Sequence, residues 1–274
     1  MIMSSSQQQL ARKYPLGELS SSPLARPTRP TYEKFIQTGM RLSAALTATL
    51  PKAGFFPRTG DSGRASSTAA EKEFLQAVSH SFQLDGKPAR VITSLPEINW
   101  RANDERYWID FAIEYQGQVY PFNFKYGRGE SPDNICGMST MAYLIGNKIE
   151  HPLKSQKIPS REKLAELTVE VLYGDMPEEE YPNREYFCLF CDISKAKPAD
   201  QFKTIAISQL DPASIFVNPS NGIQVKFSEA RQVPIVRDRN QSRRFIASCA
   251  SGYFDKAAQP ARIIARGRRS AAQR

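Results

Sequence analysis

The chain contains 274 residues, of which 41% are hydrophobic and 24% are charged, and its mean hydropathy is -0.47. These proportions are typical of a globular protein, and they exclude a collagen-like chain, a wholly disordered chain and a small disulfide scaffold. The formal net charge of +9 is concentrated at the ends, because residues 1–30 carry +3 and residues 256–274 carry +6. Nonspecific attraction to phosphate is therefore predicted to come from the ends.

The four cysteines predict reduced thiols, because a secretory signal is not evident at the N-terminus. The sequence also lacks an apolar stretch of about 18 residues, the length that suggests a membrane span. The expected location is the cytoplasm, with no membrane partner.

The first half of the chain is predicted to contain a tail, two helices and a pair of strands. Residues 1–30 are rich in Ser, Gln and Pro and are expected to form a disordered basic tail. Apolar spacing predicts a helix over 32–50 and a second over 68–83, which opens with a capping box between Thr68 and Glu71. Residues 106–126 are typical of two strands joined by a tight turn.

The second half alternates between helices and strands. Residues 135–145 are predicted to be helical, with Ser131, Asp133 or Asn134 as the N-cap. Further helices are expected over 160–172 and 242–257, with strands near 186–193, 203–207, 214–217 and 223–227. This order predicts an α/β fold, in which a central mixed β-sheet is flanked by helices. The single domain is expected to span 31–257, followed by an Arg-rich C-terminal tail over 258–274.

Several enzyme classes lack their motifs in this sequence. Neither a G-x-x-x-x-G-K-[ST] phosphate loop nor a G-x-S-x-G nucleophile elbow is present. Cys188 and Cys191 have C-x-x-C spacing, but a second pair that would complete a zinc site is missing. Their apolar surroundings favour small buried side chains in a strand.

The segment 107–126 combines an apolar face with a polar cluster. Alternate strand residues point to opposite faces, and a two-residue loop at 116–117 pairs residues whose numbers sum to 233. This register places Asp110 opposite Asn123, with Lys125 one diagonal step away. The opposite face is predicted to be apolar, and it comprises Ile109, Phe111, Ile113, Tyr115, Tyr120, Phe122, Phe124 and Tyr126.

A carboxylate, an amide and a lysine on one strand pair suit phosphodiester hydrolysis. Asp110 and Asn123 offer oxygen ligands to Mg²⁺, and the carbonyl of Phe124 is a further candidate ligand. Lys125 can orient or deprotonate the attacking water, or stabilise charge in the transition state. The alternative is an amphipathic hairpin whose outer face is merely polar.

The pattern of Asp110, a spacer and a hydrophobic-Asn123-hydrophobic-Lys125 ending resembles the PD-(D/E)xK nuclease superfamily. Within it, the N-x-K ending is similar to a group of type II restriction endonucleases. The resemblance covers residues 68–145, and it departs from the family in two ways. Asn123 replaces the usual second acid, and Ile109 rather than a proline precedes Asp110.

The resemblance implies a restriction-endonuclease-like fold and a Mg²⁺-dependent endonuclease that cleaves double-stranded DNA at a specific sequence, with Mn²⁺ as a substitute. It also implies a homodimer that matches a palindromic site, and a cognate methyltransferase as functional partner. Two alternatives remain open. One is a DNA repair or mobile-element nuclease with the same site, and the other is a non-catalytic nucleic-acid-binding protein.

Family members often add a glutamate from a preceding helix to the metal site, and two glutamates lie upstream of the hairpin. A residue advances about 100° around a helix, which puts Glu71 on the apolar stripe and Glu73 on the solvent side. Glu71 is therefore the candidate ligand. Its alternative role is the capping box with Thr68.

Candidate DNA contacts follow the hairpin and precede the last helix. Arg128 and Asn134 could reach phosphates or base edges, although Asn134 could equally cap a helix. Residues 225–245 have a local charge of +4 and form a candidate DNA-facing strip or a solvated face. The strip contributes Arg237, Arg239, Arg243 and Arg244 as DNA-binding candidates.

Overall fold

The computed structural model of the protein describes residues 30–55, 64–78, 81–93, 105–106, 108–146, 152–153, 156–157, 159–174, 182–220, 222–230 and 236–272. The chain divides into two compact units, Met1–Pro30 and Thr31–Arg274. All elements below belong to the second unit, and the predicted disordered tail lies outside the described residues except for Pro30.

Six α-helices are present in the described part of the chain, together with three short 3₁₀ helices. The α-helices are α1 (Tyr32–Thr47), α2 (Arg64–Ala77), α3 (Met138–Ile145), α4 (Arg161–Tyr173), α5 (Pro198–Gln201) and α6 (Arg239–Ala272). The 3₁₀ helices cover Leu50–Ala53, Ile207–Gln209 and Pro212–Ser214. None of the helices in the described ranges is both long enough and apolar enough to span a membrane.

Side-chain caps set the start of two helices. The backbone N–H of Lys34 donates to Thr31 at 3.3 Å ahead of α1, and that of Lys163 donates to Ser160 at 3.1 Å ahead of α4. Each cap satisfies a backbone donor that has no partner within its helix. The predicted helix at 160–172 is confirmed within one residue.

Eleven strands are found in the described residues, and they form three sheets. They are β1 (Ser81–Leu84), β2 (Lys87–Ile92), β3 (Glu105–Arg106), β4 (Phe111–Tyr115), β5 (Gln118–Gly127), β6 (Asp133–Cys136), β7 (Gln156–Lys157), β8 (Phe187–Asp192), β9 (Phe202–Ala206), β10 (Ile215–Asn218) and β11 (Gly222–Val225). The main sheet has the order β1-β2-β4-β5-β8-β9, and smaller sheets have the orders β10-β11-β6 and β3-β7. Strands β5 and β8 run parallel while the other pairs of the main sheet are antiparallel, so the predicted mixed sheet is confirmed.

The predicted register of the central hairpin is also confirmed. Five pairs from Phe111–Phe122 to Tyr115–Gln118 each sum to 233. The turn residues Gln116 and Gly117 have φ values of 50° and 72°, the left-handed conformation of a type I′ turn that matches the twist of the strands.

Two apolar cores cover the two faces of the main sheet, which makes a three-layer α/β/α arrangement. One core joins Phe35, Leu42 and Leu46 of α1, Phe74 of α2 and Val78 directly after α2 to the sheet. The other joins Met141, Leu144, Leu164, Val171 and Ile246 of α3, α4 and α6 to the opposite face. The helices on both faces fit the expected α/β class.

Several predicted boundaries are wrong. The helix predicted over 68–83 ends at Ala77, and residues 81–84 form the edge strand β1. Residues 133–136 form β6 rather than the start of a helix, and α3 follows with Gly137 as its N-cap. The last helix continues to Ala272, so most of the predicted C-terminal tail is helical.

Candidate functional site

Asp110 lies where the chain bends into strand β4. Its backbone N–H donates to the carbonyl of Phe122 at 3.0 Å, and its carboxylate oxygen Oδ2 accepts from the backbone N–H of Phe124 at 2.7 Å. The carboxylate therefore takes the place of a backbone carbonyl as the next hydrogen-bond acceptor between the two strands. This charge-assisted bond fixes the position of the carboxylate. Ile109 was expected to pack opposite Phe124, but the bend places it in the other core.

Asn123 and Lys125 lie on the half-buried face of β5, while Phe122, Phe124 and Tyr126 are buried on the other. Asp110, Asn123 and Lys125 all line one cavity of about 480 Å³. Its volume is in the range of small-ligand sites. The structure thus brings together the three residues singled out on the hairpin.

The side chain of Asn123 leaves an acceptor unused. Its amide hydrogen-bonds the hydroxyl of Tyr186, which in turn donates to the carbonyl of Trp108 at 3.1 Å. Asn123 Oδ1 is buried and has no hydrogen-bond partner among the described residues. A buried acceptor without a partner is the kind of group that an oxygen-preferring cation such as Mg²⁺ would satisfy.

Glu71 lies on the inner side of α2. It is half-buried, as is expected for a residue one turn from the buried Phe74, and Glu73 is exposed. Because α2 begins at Arg64, Thr68 lies inside the helix and cannot be its N-cap. The capping-box explanation for Glu71 is therefore wrong.

Glu71 and Asp110 repel each other. Burial and, to a smaller extent, the charge of Glu71 together raise the pKa of Asp110 to about 7, against the opposing effects of Lys125 and the Phe124 N–H. Glu71 is absent from the described cavity lining, so its carboxylate acts on Asp110 from the side of α2. A carboxylate whose charge is disfavoured by burial and by a neighbouring carboxylate is in an electrostatic setting that a divalent cation relieves.

The remaining ligand candidate is the backbone carbonyl of Phe124. Alternate residues of a strand direct their backbone groups to the same edge, so this carbonyl faces the edge where Phe122 accepts from Asp110. In the described part of the chain, no three His, Cys, Asp or Glu side chains cluster so that they could hold a metal. The candidate ligand set therefore consists of two carboxylates, one amide oxygen and one backbone oxygen.

The predicted DNA contacts are divided among different places. Arg128 lines a separate cavity of about 680 Å³, and Asn134 lines the cavity of Asp110 from the exposed side of β6. Asn134 is a strand residue, so the alternative that it caps a helix is wrong. Arg244 is exposed on α6.

The other arginines of the strip at 225–245 lie nearer the protein interior. Arg237 donates to the carbonyls of Ser208 and Leu210, at 2.8 and 2.9 Å. Arg243 is buried and donates from Nε to the carbonyl of Ile145 at 3.1 Å. Arg239 is half-buried beside Arg243 at a small internal cavity. The expectation of a DNA-facing strip is corrected for Arg237 and Arg243, because their guanidinium groups bind backbone carbonyls within the protein.

Sequence patterns missed much of the cavity. Trp108, Tyr186 and Tyr253 line it, and they come from the hairpin approach, the start of β8 and helix α6. Trp108 and Tyr186 pack with ring centroids 5.4 Å apart. Aromatic residues separated by more than 60 positions carry no common spacing, so only the tertiary fold reveals them.

Asp133 was also missed, because it was interpreted as a helix cap. It lies on β6 and is close enough to Lys125 for that charge to lower its pKa, although burial raises it overall. Lys125 thus has carboxylates on two sides, Asp110 and Asp133.

No model of a known protein family matches the chain, and no curated protein matches it either.

Proposed function

We propose that the protein is a Mg²⁺-dependent type II restriction endonuclease that hydrolyses phosphodiester bonds of double-stranded DNA at a specific sequence. The observation that carries the proposal is the convergence of Asp110, Asn123 and Lys125 on one cavity, where the buried Oδ1 of Asn123 lacks a partner among the described side chains. The N-x-K resemblance supports the restriction class.

Asp110 and Asn123 Oδ1 would hold the metal at the cavity, and the further candidate ligands are the carbonyl of Phe124 and the carboxylate of Glu71, which do not line it. Oxygen ligands of this kind suit a hard cation. Magnesium bound there supplies Lewis-acid stabilisation of charge on the reacting phosphodiester. The Phe124 N–H holds the Asp110 carboxylate in place, and the charge of Glu71 compensates for the neutral side chain at position 123.

Lys125 has the role closest to the chemistry. From β5 it reaches the cavity beside Asp110, where it orients or deprotonates the attacking water or neutralises charge that develops on the phosphoryl oxygens. Such a group contributes about 3–4 kcal/mol to lowering the barrier, or a factor of several hundred in rate.

The wider proposal follows the resemblance. A homodimer would present two such sites to a palindromic duplex. A cognate methyltransferase would protect the same sequence, and the protein would act in the cytoplasm. Mn²⁺ would substitute for Mg²⁺.

The decisive experiment is cleavage of a mixed-sequence plasmid with Mg²⁺, followed by sequencing of the ends. We expect a discrete set of ends that share one sequence. Lys125→Ala should abolish cleavage while the fold and much of the DNA affinity are kept. Lys195→Ala is the matched control, because Lys195 is exposed at the separate cavity and should cut like the wild type.

The alternatives have distinct outcomes. Cleavage at junctions, flaps or ends without a shared sequence would favour a repair or mobile-element nuclease. DNA binding without cleavage in Mg²⁺ or Mn²⁺ would favour a non-catalytic binding protein. Cleavage by Lys125→Ala within tenfold of the wild type would contradict the assigned role of this lysine.

A further inference from the structure

Tyr186 lies next to the candidate ligands but has no part in the chemistry proposed above. It comes directly before β8, in which Cys188 pairs with Asn123 of β5. Side chains alternate along a strand, so Tyr186 lies on the same face as Cys188, and both belong to the same apolar core. Paired residues share a face of the sheet, and this alternation therefore places Tyr186 beside Asn123.

The hydroxyl of Tyr186 joins the two chain segments that carry the candidate ligands. It donates to the carbonyl of Trp108, two residues before Asp110, at 3.1 Å. It also hydrogen-bonds the side-chain amide of Asn123. A tyrosine hydroxyl has a single proton. Because that proton is donated to Trp108, the hydroxyl oxygen is the acceptor in the bond with Asn123.

This bond sets the orientation of the Asn123 amide. The amide nitrogen is its only donor, so Nδ2 is turned toward Tyr186 and Oδ1 is turned away from it. Oδ1 has no hydrogen-bond partner among the described residues, as this orientation requires. The oxygen of the amide is therefore the atom that stays available to a cation.

Tyr186 is held firmly enough to impose this orientation. Its side chain is only 2% exposed, and its ring packs against Trp108 with centroids 5.4 Å apart. Its backbone N–H donates to the buried carboxylate of Glu185 at 2.9 Å, and its carbonyl accepts from the Ile207 N–H at 3.1 Å. Both the ring and the backbone of this residue are thus fixed.

We propose that Tyr186 is a positioning residue, which leaves the oxygen rather than the nitrogen of the Asn123 amide to bind the metal. This inference rests on the proposed function for the identity of the cation. It also accounts for asparagine in place of the usual second acid, because a carboxylate at position 123 has no proton to donate to the Tyr186 hydroxyl.

Tyr186→Phe tests the role because it removes the hydroxyl and keeps the ring that packs on Trp108. The probe is Mn²⁺ alone, with the free ion measured by electron paramagnetic resonance. Hydrogen-bond partners that orient metal ligands are typically worth about 10- to 100-fold in affinity or activity. We expect a loss of this size in Mn²⁺ affinity and in the kcat of plasmid cleavage, with an unchanged KM.

Tyr143→Phe is the matched control. Tyr143 is also buried and packs on Trp108, with ring centroids 4.5 Å apart, but it does not line the cavity. Its variant loses the same hydroxyl group from the other side of the tryptophan. It should bind Mn²⁺ and cut DNA like the wild type.

The residue at position 123 separates positioning from a merely structural role. The two oxygens of a carboxylate are equivalent, so the orientation of this side chain no longer matters after Asn123→Asp. Tyr186→Phe should therefore weaken Mn²⁺ binding strongly in the wild-type background and little in the Asn123→Asp background. A hydroxyl that only stabilises the fold would cost the same in both.

The orientation can also be measured in the wild type, which covers the case that Tyr186→Phe does not fold. In protein labelled with ¹⁵N-asparagine, the Asn123 side-chain resonance is identified by its loss in Asn123→Asp. It should show a nuclear Overhauser effect to the ring protons of Tyr186, and its absence would contradict the inference.

The remaining outcomes are distinct. Wild-type Mn²⁺ affinity in Tyr186→Phe, an equal loss in both backgrounds, or no Mn²⁺ binding by the wild type would overturn the inference. Mn²⁺ binding that depends on Tyr186, in a protein that cuts no DNA, would leave the inference standing and reject the proposed function instead.

Discussion

Replacing Asp110 by Asn should make the metal-free protein more stable while it removes activity. Burial and the charge of Glu71 raise the pKa of Asp110 from 3.8 to about 7. The folded protein therefore holds this proton more tightly than the unfolded chain, so the stability from the protonated group is full below about pH 4 and is lost as the pH rises through 7. Asn keeps an acceptor for the Phe124 N–H and never ionises.

The size of this gain in stability follows from the shift in the pKa of Asp110. Each pKa unit corresponds to about 1.4 kcal/mol, so Asp110→Asn should gain up to about 4 kcal/mol in free energy of unfolding at pH 8 and only about 2 kcal/mol at pH 5. Urea unfolding of the metal-free proteins at the two pH values measures this difference. Added Mg²⁺ should raise the Tm of the wild type and leave the variant unchanged.

Glu185 provides the matched control for this prediction. It is also buried with a pKa raised to about 7, but Tyr32, Ser208 and the Tyr186 N–H donate to its carboxylate. Glu185→Gln replaces an acceptor oxygen by an amide group that is itself a donor and faces the donors of Tyr32, Ser208 and Tyr186. The variant should therefore be less stable than the wild type at both pH values. If Asp110→Asn gains no stability at pH 8, or gains the same amount at pH 5, the proposed cost of the buried Asp110 charge is wrong.

Three further outcomes are expected. Glu71→Gln should slow cleavage at least a hundredfold with little change in Tm, while Glu73→Gln should cut at the wild-type rate; the reverse order in plasmid assays would move the ligand to Glu73. Arg243→Ala should destabilise the fold by about 2–4 kcal/mol in urea titrations because the side chain is buried, whereas Arg244→Ala should change stability by less than about 0.5 kcal/mol. Deleting residues 1–30 should keep the cleavage sites and reduce the salt dependence of nonspecific binding, and altered sites would refute this.

The central hairpin was predictable because two local signals agree there. The alternation from Phe111 to Tyr115 sets which face is buried, and the Gln116–Gly117 turn sets the register. Together they place Asp110 next to Asn123, which fixes most of the candidate site before any tertiary contact is known.

The edge strand β1 was not predicted, although a local signal was available. Phe82 continues the helical spacing of Phe74 and Val78, so periodicity alone assigned it to the helix. Asp85 and Gly86 have φ values of 52° and 71°, and an Asp-Gly pair is a strong signal of a tight hairpin turn. The Asp-Gly signal competes with the helical spacing and indicates that residues 81–84 belong to a hairpin rather than to the helix.

The far wall of the cavity could not be predicted from local patterns. Residues 133–136 combine two polar residues that commonly cap helices, Asp133 and Asn134, with two buried apolar ones, so the segment fits a helix start as well as a strand. Its pairing with β11 links positions nearly 90 residues apart in the chain. Because of this pairing, Asn134 is a strand residue, and Gly137 and the first residues of α3 line the cavity.

The parallel pairing of β5 and β8 has a consequence for how the protein reaches its native state. Strand β5, which carries Asn123 and Lys125, pairs with β8, and the connection between them covers residues 128–186 and contains α3. Contacts this distant in sequence form slowly, because loop closure precedes the favourable pairing. The hairpin can form early, but its polar residues gain Tyr186 as a neighbour only when β8 pairs with β5. We therefore expect cleavage activity to recover in the slowest refolding phase, after the hairpin has become protected from amide hydrogen exchange.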